Sequence, residues 1–94
     1  MSNDTSKKNG SVFVVGQAYF IREVTYHLVG RVTAVLDGFV LLEDAAWVAD
    51  SGRFMQAIAN GTLSEVEPVG DAGVAIAAIT DFFPWRHPLP LKQI

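Results

Sequence analysis

The sequence predicts a small, mainly-β domain: a barrel of about five strands that carries one short helix. Asp37-Gly38 divides the apolar segment 28–45, and Asp-Gly is a strong hairpin signal because a type I′ turn needs positive φ at both central residues. Residues 18–26 are rich in aromatic and β-branched side chains, which fit a pleated surface. Gly30 interrupts an apolar strand, as expected where a strand bends so that a small barrel can close.

Length and composition set the wider limits. The 94 residues are enough for one domain, with half of the residues hydrophobic and 18% charged. This composition is too apolar for a disordered chain and rather apolar for a lone monomer, so we expect some surface to be buried against other subunits. The net charge of −3 argues against a general nucleic-acid binder. Without cysteine there are no disulfides and no thiolate zinc sites.

The predicted elements follow in chain order. Residues 1–11 are predicted to be a flexible polar arm, and they lack the apolar core of a signal peptide. The longest apolar run in the chain is far below the ~20 residues of a membrane span. We therefore expect a cytoplasmic protein. The barrel is predicted over residues 12–83, and a Pro-rich extended tail follows at residues 84–94. The predicted strands are 18–26, 27–36, 39–43, 63–67 and 74–83, with a turn at 69–73.

One helix is predicted near residues 51–60. Asp50 or Ser51 could cap its N-terminus, and Asn60-Gly61 supplies a left-handed stop. Its apolar stripe has the i, i+3, i+4 spacing of a helix face that packs on the barrel. The residues of this stripe are Phe54, Ala57 and Ile58.

No catalytic or metal-binding pattern is evident, so we expect a non-catalytic protein without a cofactor or metal. His27 and His87 lie far apart in sequence and belong to no metal-ligand pattern. No serine or histidine stands in a nucleophile motif. Glu65 and Glu67 alternate about Val66, which is typical of the wet face of an edge strand, where charge deters aggregation.

Two Trp/Arg groups are the candidate binding residues. Trp47 precedes Arg53 and Phe54, and Trp85 directly precedes Arg86. Trp and Arg dominate binding hot spots, and Arg can also pair with phosphate or stack on a base. We expect these residues near one another, or joined across a subunit interface. In the alternative, the tryptophans close the ends of the barrel and the arginines pair with acidic residues. The candidate acidic partners are Asp44, Asp50 and Asp81.

Residues 28–45 resemble the first half of the motif of the Sm/Hfq-like small β-barrel family. The matching features are Gly30, the Asp37-Gly38 turn and the segment Leu-Leu-Glu-Asp-Ala at 41–45. The resemblance implies an Sm/SH3-like small barrel and an RNA-binding function.

The whole chain also resembles small uncharacterised proteins of tailed phages and prophages, chiefly in LEDAAWVADSGRF, EVEP and WRHPLP. That resemblance implies a viral accessory or structural role in the host-cell cytoplasm or the virion. The positions of its recurring motifs are Trp47, Arg53, Phe54, Trp85, Arg86, His87 and Pro88.

Three functions therefore stand as hypotheses. The leading one is a self-associating, phage-type binding module that captures a host protein or a small anionic, nucleotide-like ligand. The second is a virion accessory protein that decorates the capsid or joins head and tail. The third is an Sm-like RNA-binding protein, which the charge disfavours.

Overall fold

The computed structural model describes residues 12–94, and these confirm the predicted mainly-β fold with one short helix. Five antiparallel strands form one barrel-like sheet in the order β4-β3-β2-β1-β5. The strands are β1 (Ala18–Glu23), β2 (His27–Leu36), β3 (Phe39–Asp50), β4 (Glu65–Ala75) and β5 (Ile79–Pro84). Helix α1 (Phe54–Asn60) joins β3 to β4, and a 3-10 helix (Ile76–Ala78) joins β4 to β5. The predicted arm, residues 1–11, lies outside the described residues.

The predicted β2–β3 hairpin is confirmed. Leu36 pairs with Phe39 across the turn, and Asp37 and Gly38 both have positive φ, 53° and 79°. This is the backbone that a two-residue type I′ turn requires. The short connection fixes the pairing register of the two strands at the centre of the sheet.

Gly30 lies where β2 closely approaches β3. The β2–β3 register shifts between Val29 and Arg31. A Cβ atom at position 30 would lie 3.2 Å from the Cα of Ala45 and 3.2 Å from the Cβ of Leu42. The facing strand therefore leaves little room for a side chain at position 30, which favours glycine there.

The sheet carries a hydrophobic core on each face, since side chains alternate along a strand. Tyr19 and Ile21 of β1 face the first core, whereas Ala18 and Phe20 face the second. The other buried residues of the first core are Phe13, Leu28, Val32, Val40, Leu42, Ala45 and Val74. Those of the second are Val29, Ala46, Val48, Val66 and Trp85. Residues of α1 and of the C-terminal segment cover the second core, so both faces of the sheet are protected from water.

Helix α1 packs on the second core as its apolar stripe predicts. Ala57 is fully buried, and Phe54 and Ile58 pack against the core. Gly61 has φ 76° and its N–H donates to the carbonyl of Ala57 at 2.8 Å, which confirms the predicted stop.

The predicted start of the helix was wrong. Arg53 is the N-cap and forms no capping hydrogen bond through its side chain. Asp50 still belongs to β3, and its carboxylate accepts the N–H of Gly52 at 2.8 Å. The side chain predicted to cap the helix therefore stabilises the turn that precedes it.

The predicted bounds of β3, β4 and β5 were also wrong. β3 was predicted to end at Glu43, but it continues to Asp50. An irregularity interrupts it without ending it, since the β3–β4 register shifts between Leu42 and Ala45 and Asp44 adopts φ 50°. β4 runs through Pro68 and the predicted turn at 69–73, because an edge strand tolerates proline and bulges. The segment 74–83, predicted as one strand, is divided into three parts. Residues 74 and 75 complete β4, the 3-10 helix follows, and β5 begins at Ile79.

The segment after β5 packs against the rest of the chain. The Trp85 N–H donates to the carbonyl of Ala18 at 2.9 Å, and the Ile94 N–H donates to the carbonyl of Val66 at 3.2 Å. Leu89 packs against the second core. The Pro-rich segment is thus docked on its own chain, and its extended course stays a prediction.

Candidate functional site

Three of the six predicted site residues meet above the second core. Phe54 of α1 and Trp85 of the C-terminal segment both pack on Phe20, with ring centroids 5.6 Å and 6.0 Å from the Phe20 ring. His87 lies edge-on to Trp85 at 5.0 Å. The structure therefore brings the helix and the C-terminal segment together on one face of the sheet, which we call the helix face.

Trp85 and His87 hold the C-terminal segment in place. Trp85 is only 2% exposed, and its indole N–H donates to the carbonyl of Pro88 at 3.3 Å. The Nε2–H of His87 donates to the carbonyl of Ile58 at 2.7 Å. Gly61 lies against the same imidazole, since a Cβ there would be 2.6 Å from His87 Cγ. Trp85 is therefore part of the core, which agrees with the alternative prediction that the tryptophans close the barrel. Its ring is not accessible to a partner.

Arg22 is a structural residue that the sequence analysis missed. Its guanidinium donates to both carboxylate oxygens of Asp81 on β5, with an Nε to Oδ1 distance of 2.7 Å. The same group lies over the rings of Phe54 and Phe83, 4.6 Å and 5.5 Å from their centroids. The hydrogen bond from Arg22 lowers the pKa of Asp81. Only the β1–β5 register, which no local pattern reveals, could have indicated this pair.

Arg53 directly precedes α1, and Arg86 directly follows Trp85. Both are exposed, and neither forms an ion pair with any residue between 12 and 94. The predicted alternative, in which they pair with acidic residues, is wrong for these described residues. Asp81 binds Arg22, and Asp44 lies 3.7 Å from Arg31.

Trp47 lies apart from the helix-face residues, in a cleft at the end of β3. Its indole is 48% exposed and meets the ring of Tyr26 edge-on at 5.5 Å. The cleft has a volume of about 480 Å³, and we call it the Trp47 cleft. Its polar lining includes Glu65 and Glu67, and the C-terminal residues Gln93 and Ile94 close one side. The sequence analysis missed Tyr26, which becomes part of the cleft only because Leu28 pairs with Trp47.

The two residues that flank the β1–β2 turn beside this cleft each have a buried polar atom. His27 lines the cleft, and its Nδ1 is buried without a hydrogen-bond partner among the described residues. Oε2 of Glu23 is likewise buried without a hydrogen-bond partner among the described residues. Burial raises the pKa of this carboxyl.

Exposed apolar side chains gather at the opposite end of β3. The Ile76 N–H donates to the carbonyl of Gly38 at 2.9 Å, which joins the 3-10 helix to the hairpin turn. Leu36, Phe39 and Ile76 are 49%, 45% and 38% exposed there. Within residues 12–94, this end of the sheet therefore presents apolar surface to water.

The described part of the chain shows neither a metal cluster nor a spanning helix. Within residues 12–94, no three His, Cys, Asp or Glu side chains come together in a group able to hold a metal ion. The helices in this range are too short and too polar to cross a membrane. The absence of catalytic activity stays a prediction.

The fold is similar to that of a heptameric archaeal Sm protein, a structure with implications for the eukaryotic snRNP core. The two share 17% sequence identity, with a TM-score of 0.55 over 74% of this chain and 87% of the Sm chain. No family model matches the sequence, and no curated protein matches it significantly. The structural likeness supports the Sm-type fold implied by residues 28–45, whereas the resemblance to tailed-phage proteins stays a prediction.

Proposed function

We propose that the protein is an Sm-type oligomer that binds single-stranded RNA. This proposal is supported by the likeness of the fold to that of a heptameric Sm protein. In this fold β4 and β5 are the two edge strands of the sheet, so each can pair with another chain. The third function predicted from the sequence thereby becomes the leading one.

Self-association follows from the two edge strands. An edge strand presents backbone N–H and C=O groups that can pair with another chain. β4 and β5 differ in sequence and lie at opposite edges, so joining β4 of one copy to β5 of the next is a head-to-tail contact. Head-to-tail contacts form rings when the rotation between subunits closes.

Exposed apolar side chains support the same assembly. Val69 on β4 is 46% exposed, and Ile76 directly after this strand is 38% exposed. Together with Leu36 and Phe39 they leave apolar surface in water that a neighbouring subunit would bury.

RNA binding depends on this assembly because one chain has few free cations. The net charge of −3 disfavours phosphate contacts by a single subunit. Arg53 and Arg86 are nevertheless exposed and unpaired among the described residues, and a ring repeats them around its axis. Repetition strengthens binding because each later contact is intramolecular. Guanidinium groups can also stack on the splayed bases of a single strand.

Fluorescence anisotropy with a labelled single-stranded RNA tests this function. We expect saturable binding that Arg53→Ala/Arg86→Ala weakens, with a salt slope reduced by about 0.7 for each phosphate contact that is lost. Arg31→Ala is the matched control, because it removes a guanidinium that already lies 3.9 Å from Glu43 and 3.7 Å from Asp44. Absence of saturable binding, or an equal loss in the Arg31 variant, would refute RNA binding through these arginines.

A further inference from the structure

We infer that the Trp47 cleft binds a cationic side chain, arginine or lysine, presented by a partner polypeptide. This inference is independent of RNA binding, since it concerns another surface and a ligand of opposite charge. It rests on the two exposed aromatic rings of the cleft, its unpaired carboxylates and its exposed apolar lining.

Two aromatic rings form a corner of the cleft. Trp47 and Tyr26 meet at an interplanar angle of 70°, so their faces point in different directions. Their exposed fractions of 48% and 37% leave both rings accessible. A cation is attracted to the face of such a ring, and Trp is the strongest of the aromatic side chains in this respect.

Carboxylates stand next to this aromatic corner. Glu67 is directly opposite Trp47 in the β3–β4 ladder, so their side chains share one face of the sheet. Glu65 also lines the cleft. Both are exposed, and neither forms an ion pair with a residue in the range 12–94. A cation bound here would therefore meet an aromatic face and at least one free carboxylate.

The remaining lining fits the stem of a long side chain. Ala49 and Ile94 are exposed and contribute apolar surface to the cleft, whereas the side chains of Val48 and Val66 are buried in the second core. Arg and Lys cover such surface with their methylene groups while the charged end stays among polar partners. The volume of about 480 Å³ is in the range of small-ligand sites. The negative charge makes the cleft unsuitable for the anionic ligand predicted from the sequence.

NMR of the ¹⁵N-labelled full chain, titrated with an octa-arginine peptide, tests the site. The two indole N–H signals report on different places: Trp47 lies in the cleft, and Trp85 is buried on the helix face with its N–H bound to Pro88. We expect the Trp47 signal to shift saturably and the Trp85 signal to stay in place. Octa-lysine should act similarly, and octa-glutamate should have no effect.

Charge-matched variants separate the site from diffuse attraction. Glu65→Gln/Glu67→Gln, followed through the Trp47 indole signal, should raise the peptide Kd at least about tenfold. Trp47→Leu, followed through the backbone N–H signals of the cleft residues, should have an effect of the same size. The control Asp37→Asn/Asp71→Asn removes the same charge from exposed positions outside the cleft, and should change the Kd less than about twofold. Melting temperatures close to that of the wild type would confirm that all variants fold.

Three results would overturn the inference. An equal loss of affinity in the cleft and control variants would show diffuse charge attraction only. No saturable shift at Trp47 would show that the cleft does not bind the peptide. Free arginine amide binding as tightly as octa-arginine would show a small-molecule site and contradict a polypeptide partner. None of these results bears on the RNA titration, so the two proposals can fail separately.

Discussion

Single residues join separate elements in this small domain. Arg22 links β1 to β5 through Asp81 and covers the rings of Phe54 on α1 and Phe83 on β5. Gly30 lets β2 and β3 approach at the centre of the sheet. Each of these residues contributes through a contact with a distant part of the chain, and each contact leads to a measurable effect on stability.

The Arg22–Asp81 pair predicts an acid-dependent loss of stability. Because the folded-state pKa of Asp81 is lowered, its contribution is fully present above the unfolded-state pKa of about 3.9 and is lost as the pH falls through the folded-state value. Urea denaturation at about pH 5 and about pH 3 should therefore show a larger fall in unfolding free energy for the wild type than for Asp81→Asn. Equal falls would mean that the pair does not couple folding to protonation.

Replacing Gly30 with a branched side chain should destabilise the fold. Its Cβ would meet the Cα of Ala45 at 3.2 Å, and main-chain atoms of a paired strand cannot easily move away. We expect Gly30→Val to cost about 1–3 kcal/mol of unfolding free energy in urea denaturation. Thr33→Ser is the control, because this exposed position of the same strand keeps the hydroxyl that donates to the carbonyl of Leu41, and we expect a change within about 0.5 kcal/mol. A Gly30 variant as stable as the control would contradict the close approach.

At the scale of elements, local patterns predicted the features that local forces determine. The Asp37-Gly38 turn, the apolar stripe of α1 and its Gly61 stop depend on neighbouring residues, and all three are confirmed. β4 was predicted too short because Pro68 and the following glycines look like a strand end. As an edge strand, β4 needs hydrogen bonds on one side only, so it tolerates them. Position in the sheet is a long-range property that the sequence pattern does not contain.

The C-terminal segment should contribute to stability as a core element. Trp85 is 2% exposed between Phe20 and His87, whereas Trp47 is 48% exposed. We expect Trp85→Ala to cost about 3–5 kcal/mol, which is typical of a buried tryptophan. Trp47→Ala should cost less than about 1 kcal/mol, because its ring is half in water. Chemical denaturation of both variants measures the difference, and similar losses would contradict the docked position of the segment.

At the scale of the whole molecule, the sequence predicted the residue types of the candidate sites but not their grouping. The structure does not gather the six predicted residues at one place. Phe54, Trp85 and His87 share the helix face, and Arg53 and Arg86 are exposed at positions next to Phe54 and Trp85 in the chain. Trp47 lies in a cleft with Tyr26. Strand register and the fold-back after β5 determine this division, and neither follows from spacing along the chain. That these residues bind a partner stays a prediction.

Light scattering of the full chain at micromolar concentration is the most direct test of whether subunits assemble through their sheet edges, as in an Sm-type oligomer. The variant Val69→Lys places a charge on the edge strand β4, and Val24→Lys makes the same change in the β1–β2 turn, where Val24 is 89% exposed. We expect a mass several times 10.2 kDa for the wild type and for Val24→Lys, and a smaller mass for Val69→Lys. A wild-type protein with a mass of 10.2 kDa would contradict assembly through the sheet edges.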